Sequence, residues 1–206
     1  MEPTLTQARL RDGTTVHVRP IEPDDGDRLR EIWDGTSELS RRRRMLADVS
    51  DEVSEEDMRY LVDVDHRRHE ALLALDEDGR GIAVARYVRA PRDRTSAEIA
   101  VIVADAWHRR GLATELLNLL SVRARQNGIE RYTAIVSEDN QVVLDALERA
   151  GAERTAASEE GEIELAVDVP DAHTGERLAG MLRAAAQAPR DFVGMALRRL
   201  PVWRRG

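Results

Sequence analysis

The stretch AEIAVIVADAWHRRGLATELLNLLSVRARQ, residues 97–126, decides the fold because its hydrophobic pattern changes period midway. Ala97 to Val103 is nearly continuous in small and β-branched apolar residues, which predicts a central strand buried on both faces. From Arg110 to Gln126 the leucines recur at helical spacing, and Asn127-Gly128 predicts the end of that helix. The sequence therefore predicts a buried strand, a short loop and a long helix in succession.

The loop and first helical turn, Trp107-His108-Arg109-Arg110-Gly111-Leu112-Ala113-Thr114, form an anion-binding pattern. The first N–H groups of a helix have no intrahelical partners, and the helix dipole places partial positive charge on them. Gly111 and Ala113 leave room for a diphosphate near the backbone, and Arg109 and Arg110 add attraction. Neither a Walker A loop nor a G-x-G-x-x-G fingerprint is present. An Arg-rich turn that packs a glycine against its strand would give the same pattern.

Shorter elements are predicted on both sides of this stretch. They are strands at 15–20, 70–75, 81–88 and 131–136, helices from Asp24 or Asp25 to Trp33, at 54–62 and at 140–150, and a hairpin of 153–157 with 162–167. Ser54 is the predicted N-cap of its helix, and the Asp-Gly step within residues 76–80 predicts a hairpin turn. The order predicts one mixed α/β domain over residues 10–170.

The composition excludes several classes of site. The chain has 206 residues, 42% of them hydrophobic and 34% charged, and no cysteine, so disulfides, thiolate metal sites and a cysteine nucleophile are excluded. We expect no membrane-spanning segment and a cytoplasmic protein, because long apolar runs and a signal pattern are absent. The formal net charge of -8 argues against nucleic acid as a partner and fits a cationic substrate, although solubility alone would also explain it.

Residues 171–206 form an Arg-rich tail with a different pattern. Gly175 to Gln187 and Asp191 to Leu200 predict two helices, which would pack on the domain or across a homodimer. The second helix carries apolar residues on one face and arginines beside them. The alternative is therefore a basic amphipathic surface for an anionic membrane or an acidic partner.

The segment from His108 to Ala113 resembles motif A of the GNAT family of N-acetyltransferases, [QR]-x-x-G-x-[GA], and the element order is also that of this family. "VHVRPIEPDD" (16–25) and "LVDVDHRRHEALLAL" (61–75) look most like the bacterial Pat-like protein lysine acetyltransferases. The resemblance implies an α/β (α+β) GNAT fold, with a central mixed, mostly antiparallel sheet flanked by helices. It also implies acetyl-CoA as cosubstrate, no metal, and a primary amine as acceptor, with a protein lysine favoured.

The resemblance also assigns cofactor-binding residues. Backbone groups of Ile102 and Val103 would pair with the pantetheine arm, and amides from Arg109, Arg110, Gly111, Leu112, Ala113 and Thr114 would hold the pyrophosphate. Asn140, in the motif-B-like "SEDNQVVLDALERAGA" (137–152), would contact the pantetheine or its exit path. His108 departs from the usual Gln or Arg, which should weaken phosphate binding without abolishing it if backbone amides bind the phosphates.

Glu98 is the candidate general base. A lysine amine has a pKa of roughly 10.4, so acetyl transfer needs a group that takes its proton. Glu98 lies on an otherwise apolar strand, four positions before Ile102, and resembles the catalytic glutamate position of the lysine acetyltransferase branch. The alternative is an edge-facing Glu that meets solvent or pairs with Arg86 or Arg94. The general acid is open, because Leu147 stands where many relatives have Tyr, and Tyr87 and Tyr132 fall at predicted core positions.

Three smaller signals have two interpretations each. His66 and His69 could bind a metal or begin a solvated strand, and the run Arg41–Arg44 could contact a phosphate or an acidic partner, or form a solvated turn. An acidic cluster could attract a cationic acceptor or be a solvated face; it comprises Asp48, Asp51, Glu52, Glu55, Glu56 and Asp57. The functional alternatives are an acetyltransferase for small amines, polyamine or antibiotic-like, and a non-catalytic acyl-CoA-binding regulatory module.

Overall fold

The computed structural model describes residues 5–36, 54–138, 141, 144, 145, 148, 151–157 and 162–169. The strands are β1 (Thr6–Arg9), β2 (Thr15–Pro20), β3 (His69–Leu75), β4 (Gly81–Arg89), β5 (Ser96–Val103), β6 (Arg131–Ser137), β7 (Glu153–Ala157) and β8 (Glu162–Asp168). The helices described from end to end are α1 (Gly26–Asp34), α2 (Glu55–Val62) and α3 (Leu112–Gln126), with a 3-10 turn at Asp105–Trp107.

One eight-stranded sheet contains all of these strands, in the order β1-β2-β3-β4-β5-β6-β8-β7. Neighbouring strands are antiparallel except β5 and β6, which are parallel and are connected through α3. This is the predicted mixed, mostly antiparallel sheet flanked by helices. The predicted strand at 97–103 is confirmed as β5, and every residue from Ser96 to Val103 is buried.

The alternation of side chains along β5 divides the core into two layers. Ile99, Val101 and Val103 pack with the leucines of α3. Ile102 packs on the opposite face with α1 and α2. The side chain of Glu98 belongs to the second set by alternation, so it projects from the face that α1 and α2 cover.

The sequence missed β1 and placed the start of α3 two residues early. Thr6–Arg9 has four residues, of which Ala8 is the one buried, so no clear period-2 pattern is visible. β1 is a strand because it pairs with β2, from Thr6 opposite Val18 to Arg9 opposite Thr15. The sheet therefore begins before residue 10. The predicted helix from Arg110 begins at Leu112 instead, because Arg109 and Gly111 have positive φ.

The two predicted helix caps have different outcomes. Ser54 caps α2 as predicted, since its Oγ accepts the Asp57 amide at 3.1 Å. Asp25 stands at the N-cap position of α1 but makes no side-chain cap. Its buried carboxylate instead accepts two hydrogen bonds of 2.6 Å from the Arg19 guanidinium, one from Arg28 and one from the Glu22 amide. The ion pair with the neighbouring strand replaces the local cap.

The C-terminal end of α3 is bonded to β3 and β4. Arg123 Nη1 lies 3.1 Å from Oε2 of the fully buried Glu70. Asn127 Nδ2, just beyond the helix, donates to Tyr87 Oη at 2.8 Å and to the carbonyl of His66 at 3.1 Å. These bonds fix the position of α3 across the sheet.

Other predicted elements agree with the structure, with ends that differ by one or two residues. Gly79 in the turn between β3 and β4 has φ +78, as an Asp-Gly hairpin requires, and β7 pairs with β8. Within the predicted helix at 140–150, Gln141, Leu144, Asp145 and Glu148 are helical. The predicted extension at 171–206 lies outside the described residues. None of the helices described is long and apolar enough to cross a membrane.

Candidate active site

The sheet opens between β5 and β6. Their pairing consists of Ser96 with Arg131, Ala97 with Tyr132 and Glu98 with Thr133, and it ends there. β5 continues to Val103 paired with β4, and β6 continues to Ser137 paired with β8. Beyond Glu98, the facing edges of the two strands therefore have no strand partner among the described residues. Such an edge can pair with an extended ligand.

The register shows which β5 backbone groups face this opening. The amide of Ala104 donates to Ile82 at 2.9 Å, so even-numbered residues of β5 direct both backbone groups toward β4. Ile99, Val101 and Val103 direct theirs toward the opening. Of the two residues predicted to pair with a pantetheine arm, Val103 faces the opening, whereas the backbone of Ile102 faces β4.

The turn between β5 and α3 presents backbone amides at its end. Arg109 has φ +62 and Gly111 has φ +91, so two positions of this short turn are left-handed. The first intrahelical bond runs from the Glu115 amide to the Gly111 carbonyl at 3.1 Å. The amides of Leu112, Ala113 and Thr114 therefore precede the first intrahelical donor and are available to an anion. The open strand edge and this turn together fit an extended arm that ends in a diphosphate.

The three basic side chains of the turn have different environments. His108 Nε2 lies 2.9 Å from the carbonyl oxygen of Val103, so the imidazole turns back onto the end of β5. Arg110 stacks over the Trp107 ring at 4.7 Å and pairs with Asp12 at 3.4 Å. Arg109 is exposed. His108, which stands where the motif has Gln or Arg, thus forms a hydrogen bond with the last residue of β5.

Glu98 is buried, with 2% of its surface exposed, and lies on a central strand. The alternative of a solvent-facing edge residue is therefore wrong. Glu98 is the last residue of β5 that pairs with β6, so it lies at the closed end of the opening. Val103 lies five positions further along β5, which is about 16 Å along an extended strand. The turn between β5 and α3 and the carboxylate of Glu98 thus lie at opposite ends of the open edge of β5.

A buried basic cluster lies on the same face of the sheet as Glu98. Arg86 Nη1 is 3.2 Å from the Leu61 carbonyl and 3.2 Å from His69 Nε2, and Arg86 Nε has no hydrogen-bond partner. Burial lowers the pKa of Arg86 to about 10. Burial, then the charge of Arg86, lowers the pKa of His69 to about 3, so His69 is neutral and accepts from Arg86. Tyr60 lies beside His69, with ring centroids 5.5 Å apart.

Sequence reasoning did not find this cluster as a unit. The one available signal was Arg86, a charged residue within the otherwise apolar run of β4. Its contact with His69 depends on the pairing of β3 with β4, in which His69 lies opposite Val88 and Ala71 opposite Arg86. Strand register is a long-range property that single residues do not reveal.

The histidine pair and the two core tyrosines are held by other contacts. His66 Nδ1 lies 2.8 Å from Glu70, while His69 contacts Arg86. No group of three metal-ligating side chains occurs within the part of the chain described. Tyr87 and Tyr132 are fully buried core residues, as predicted, and burial raises the pKa of both.

Several predicted residues cannot be compared with the site. Asn140 and Leu147, the run Arg41–Arg44, and Asp48, Asp51 and Glu52 lie outside the described residues. The rest of the acidic cluster, Glu55, Glu56 and Asp57, occupies the first turn of α2.

Comparison with known proteins agrees with this arrangement. Residues 29–152 match the Acetyltransferase (GNAT) family. The chain is 32% identical over 175 residues to acetyltransferase Pat of Mycolicibacterium smegmatis, covering 83% of this chain and 51% of that protein. It thus spans about half the length of that relative. It is also 32% identical over 139 residues to acetyltransferase PA5475 of Pseudomonas aeruginosa, covering 66% of this chain and 74% of that protein.

Among solved structures, the crystal structure of the GNAT domain of S. lividans PAT superposes with a TM-score of 0.72 at 32% identity. The match covers 80% of this chain and 96% of that one. The family match, these relatives and the shared fold agree with the strand, turn and helix described above. The chain therefore belongs to the GNAT family of acetyltransferases.

Proposed function

We propose that this protein transfers the acetyl group of acetyl-CoA to a primary amine, and that the acceptor is a lysine side chain of a protein. The observation that carries the proposal is the opening between β5 and β6, which joins an anion-binding turn to a buried carboxylate. The catalytic domain would comprise residues 10–170 together with β1, and residues 171–206 would be an extension.

The chain's own residues would hold acetyl-CoA at two places. The amides of the turn and of the first residues of α3, Arg109 to Thr114, would bind the diphosphate. The open edge of β5, at Val103, Val101 and Ile99, would pair with the pantetheine arm as an added strand does. Acetyl-CoA supplies the activated acetyl thioester when it is bound.

Glu98 would act as the general base. It lies where the opening closes, so an arm along the edge of β5 would end beside it. Its carboxylate would take the proton of the amine as the nitrogen attacks. Glu98 is 2% exposed, so bulk water has little access to its carboxylate.

The choice of a protein lysine rests on two observations. The relative from M. smegmatis carries the name Pat, which belongs to the group whose sequence patterns this chain resembles. α2 covers the face from which Glu98 projects, and its first turn carries Glu55, Glu56 and Asp57, of which Glu55 pairs with Arg30. Carboxylates there would attract a cationic acceptor.

Turnover assays on an amine panel test the proposal. We expect thiol release from acetyl-CoA with a lysine-containing peptide, and a lower rate with a polyamine. Glu98→Gln should lower kcat/KM by roughly 10²- to 10⁴-fold while acetyl-CoA still binds. Glu77→Gln, which removes one carboxylate from the exposed turn between β3 and β4, is the control and should be unaffected. Unchanged turnover of Glu98→Gln across pH 6 to 9 would disprove the assignment of the base.

A further inference from the structure

The turn between β1 and β2 packs against the turn that precedes α3. The amide of Arg11 donates to the carbonyl of Arg110 at 3.1 Å. The stem of Arg11 covers Gly111: a Cβ added to this glycine would lie 3.3 Å from Arg11 Cγ and Nε. The β1–β2 hairpin, which the sequence did not predict, therefore brings a further basic residue to the anion-binding turn.

The backbone of this hairpin turn is fixed by its own hydrogen bonds. The amide of Leu10 donates to the Thr14 carbonyl at 2.8 Å, and the amide of Gly13 donates to the Leu10 carbonyl at 3.0 Å. The Thr14 amide donates to Asp12 Oδ1 at 3.0 Å, and Gly13 takes φ +87. The backbone of Arg11 is therefore held in place, and its exposed side chain can change conformation to reach a ligand.

Arg110 and Arg11, which both lie beside Gly111, differ in whether the guanidinium has an ion-pair partner. Arg110 pairs with Asp12 and stacks on Trp107. The guanidinium of Arg11 makes no hydrogen bond or ion pair with any residue that the structure describes, and the side chain is exposed. Asp12 thus neutralises Arg110, and the charge of Arg11 remains available beside the amides of Leu112 to Thr114.

We propose that Arg11 is a further phosphate-binding residue, which contacts a phosphate of CoA from the β1–β2 turn. The inference rests on the proposed function, because it takes the turn before α3 as the diphosphate site. A guanidinium can donate two parallel hydrogen bonds to one phosphate, and a charge-assisted bond is stronger than a neutral one. Gly111 then has two roles: its φ of +91 permits the turn, and its missing Cβ gives the Arg11 stem room to lie across it.

Binding measurements on the full chain test this directly. Isothermal titration of acetyl-CoA, at low and high salt, is compared between wild type, Arg11→Gln and Arg11→Lys. Arg67→Gln is the matched control, since it removes the same charge from an exposed site before β3, at the opposite end of the sheet. We expect Arg11→Gln to raise the Kd for acetyl-CoA about tenfold and to reduce its salt dependence. Arg11→Lys should lie between the two, and Arg67→Gln should match wild type.

The 3′-dephospho form of acetyl-CoA separates the two phosphate sources. If Arg11→Gln weakens binding of acetyl-CoA but not of the dephospho form, Arg11 contacts the 3′-phosphate; an equal loss for both means that it contacts the diphosphate. An unchanged Kd in Arg11→Gln, with wild type binding normally, would overturn this inference and leave the proposed function standing. Failure of wild type to bind acetyl-CoA would overturn both.

Discussion

Replacing His69 by Gln should remove a large part of the acid sensitivity of folding. The folded-state pKa of His69 is about 3, because the imidazole is buried and lies beside Arg86, against 6.5 for an unperturbed histidine. Below pH 6.5 the unfolded chain therefore binds a proton that the folded chain does not bind. The contribution of neutral His69 to stability is complete above the unfolded pKa and falls as the pH decreases toward 3.

The expected size follows from these two pKa values. Between pH 7 and pH 5 they give a loss of about 2 kcal/mol in the free energy of unfolding, since one pKa unit corresponds to about 1.4 kcal/mol. Glutamine keeps an oxygen that can accept from Arg86 Nη1, so the buried guanidinium retains a partner while the titration is lost.

Urea unfolding of wild type and His69→Gln at pH 7, 6 and 5 measures the difference. Wild type should lose about 2 kcal/mol more than the variant over this interval, with similar m-values. His17→Gln removes an imidazole from β2 and should keep the wild-type loss, because His69 is intact in it. Equal pH dependence in wild type and His69→Gln would refute the reasoning.

Four further substitutions have defined outcomes. Gly111→Ala and Gly128→Ala each place a side chain at positive φ, +91 and +73, so each should lower stability by about 1–2 kcal/mol in urea unfolding. Affinity for acetyl-CoA should fall only in Gly111→Ala. Equal affinities of the two variants would contradict the assignment of the turn before α3 as the diphosphate site. Asp25→Ala leaves the largely buried Arg19 without its main partner and should cost about 3–5 kcal/mol, so a loss below about 1 kcal/mol would be inconsistent with that pair. Ser54→Ala removes a helix cap and should cost about 1 kcal/mol, measured by thermal unfolding.

Local patterns were sufficient for the central part of the fold. The apolar run of β5, the leucine spacing of α3 and the Asp-Gly turn before Gly81 each carry their own signal, and the structure contains all three. The N-cap of Ser54 is equally local, because acceptor and donor are three residues apart.

Features that depend on contacts between distant segments were not predictable in the same way. β1 is a strand because β2 lies beside it, and Asp25 does not cap α1 because its carboxylate is bonded to Arg19 instead. The position at which β5 separates from β6 is a matter of register, and no residue near Glu98 or Thr133 marks it. The sequence could therefore name Glu98 as a candidate, but not its place at the closed end of the opening.

The bonds from Arg123 and Asn127 to β3 and β4 have a consequence for how readily an anion is captured. Bonds to two strands at this end oppose sliding of the helix along its axis and rotation about it, which limits the movement of the amides at its beginning. If those amides bind the diphosphate as proposed, little conformational entropy would be lost on binding, and more of the interaction energy would remain as affinity. In the proposed complex with acetyl-CoA, the buried carboxylate of Glu70 would thereby help to preorganise the donors at the opposite end of α3.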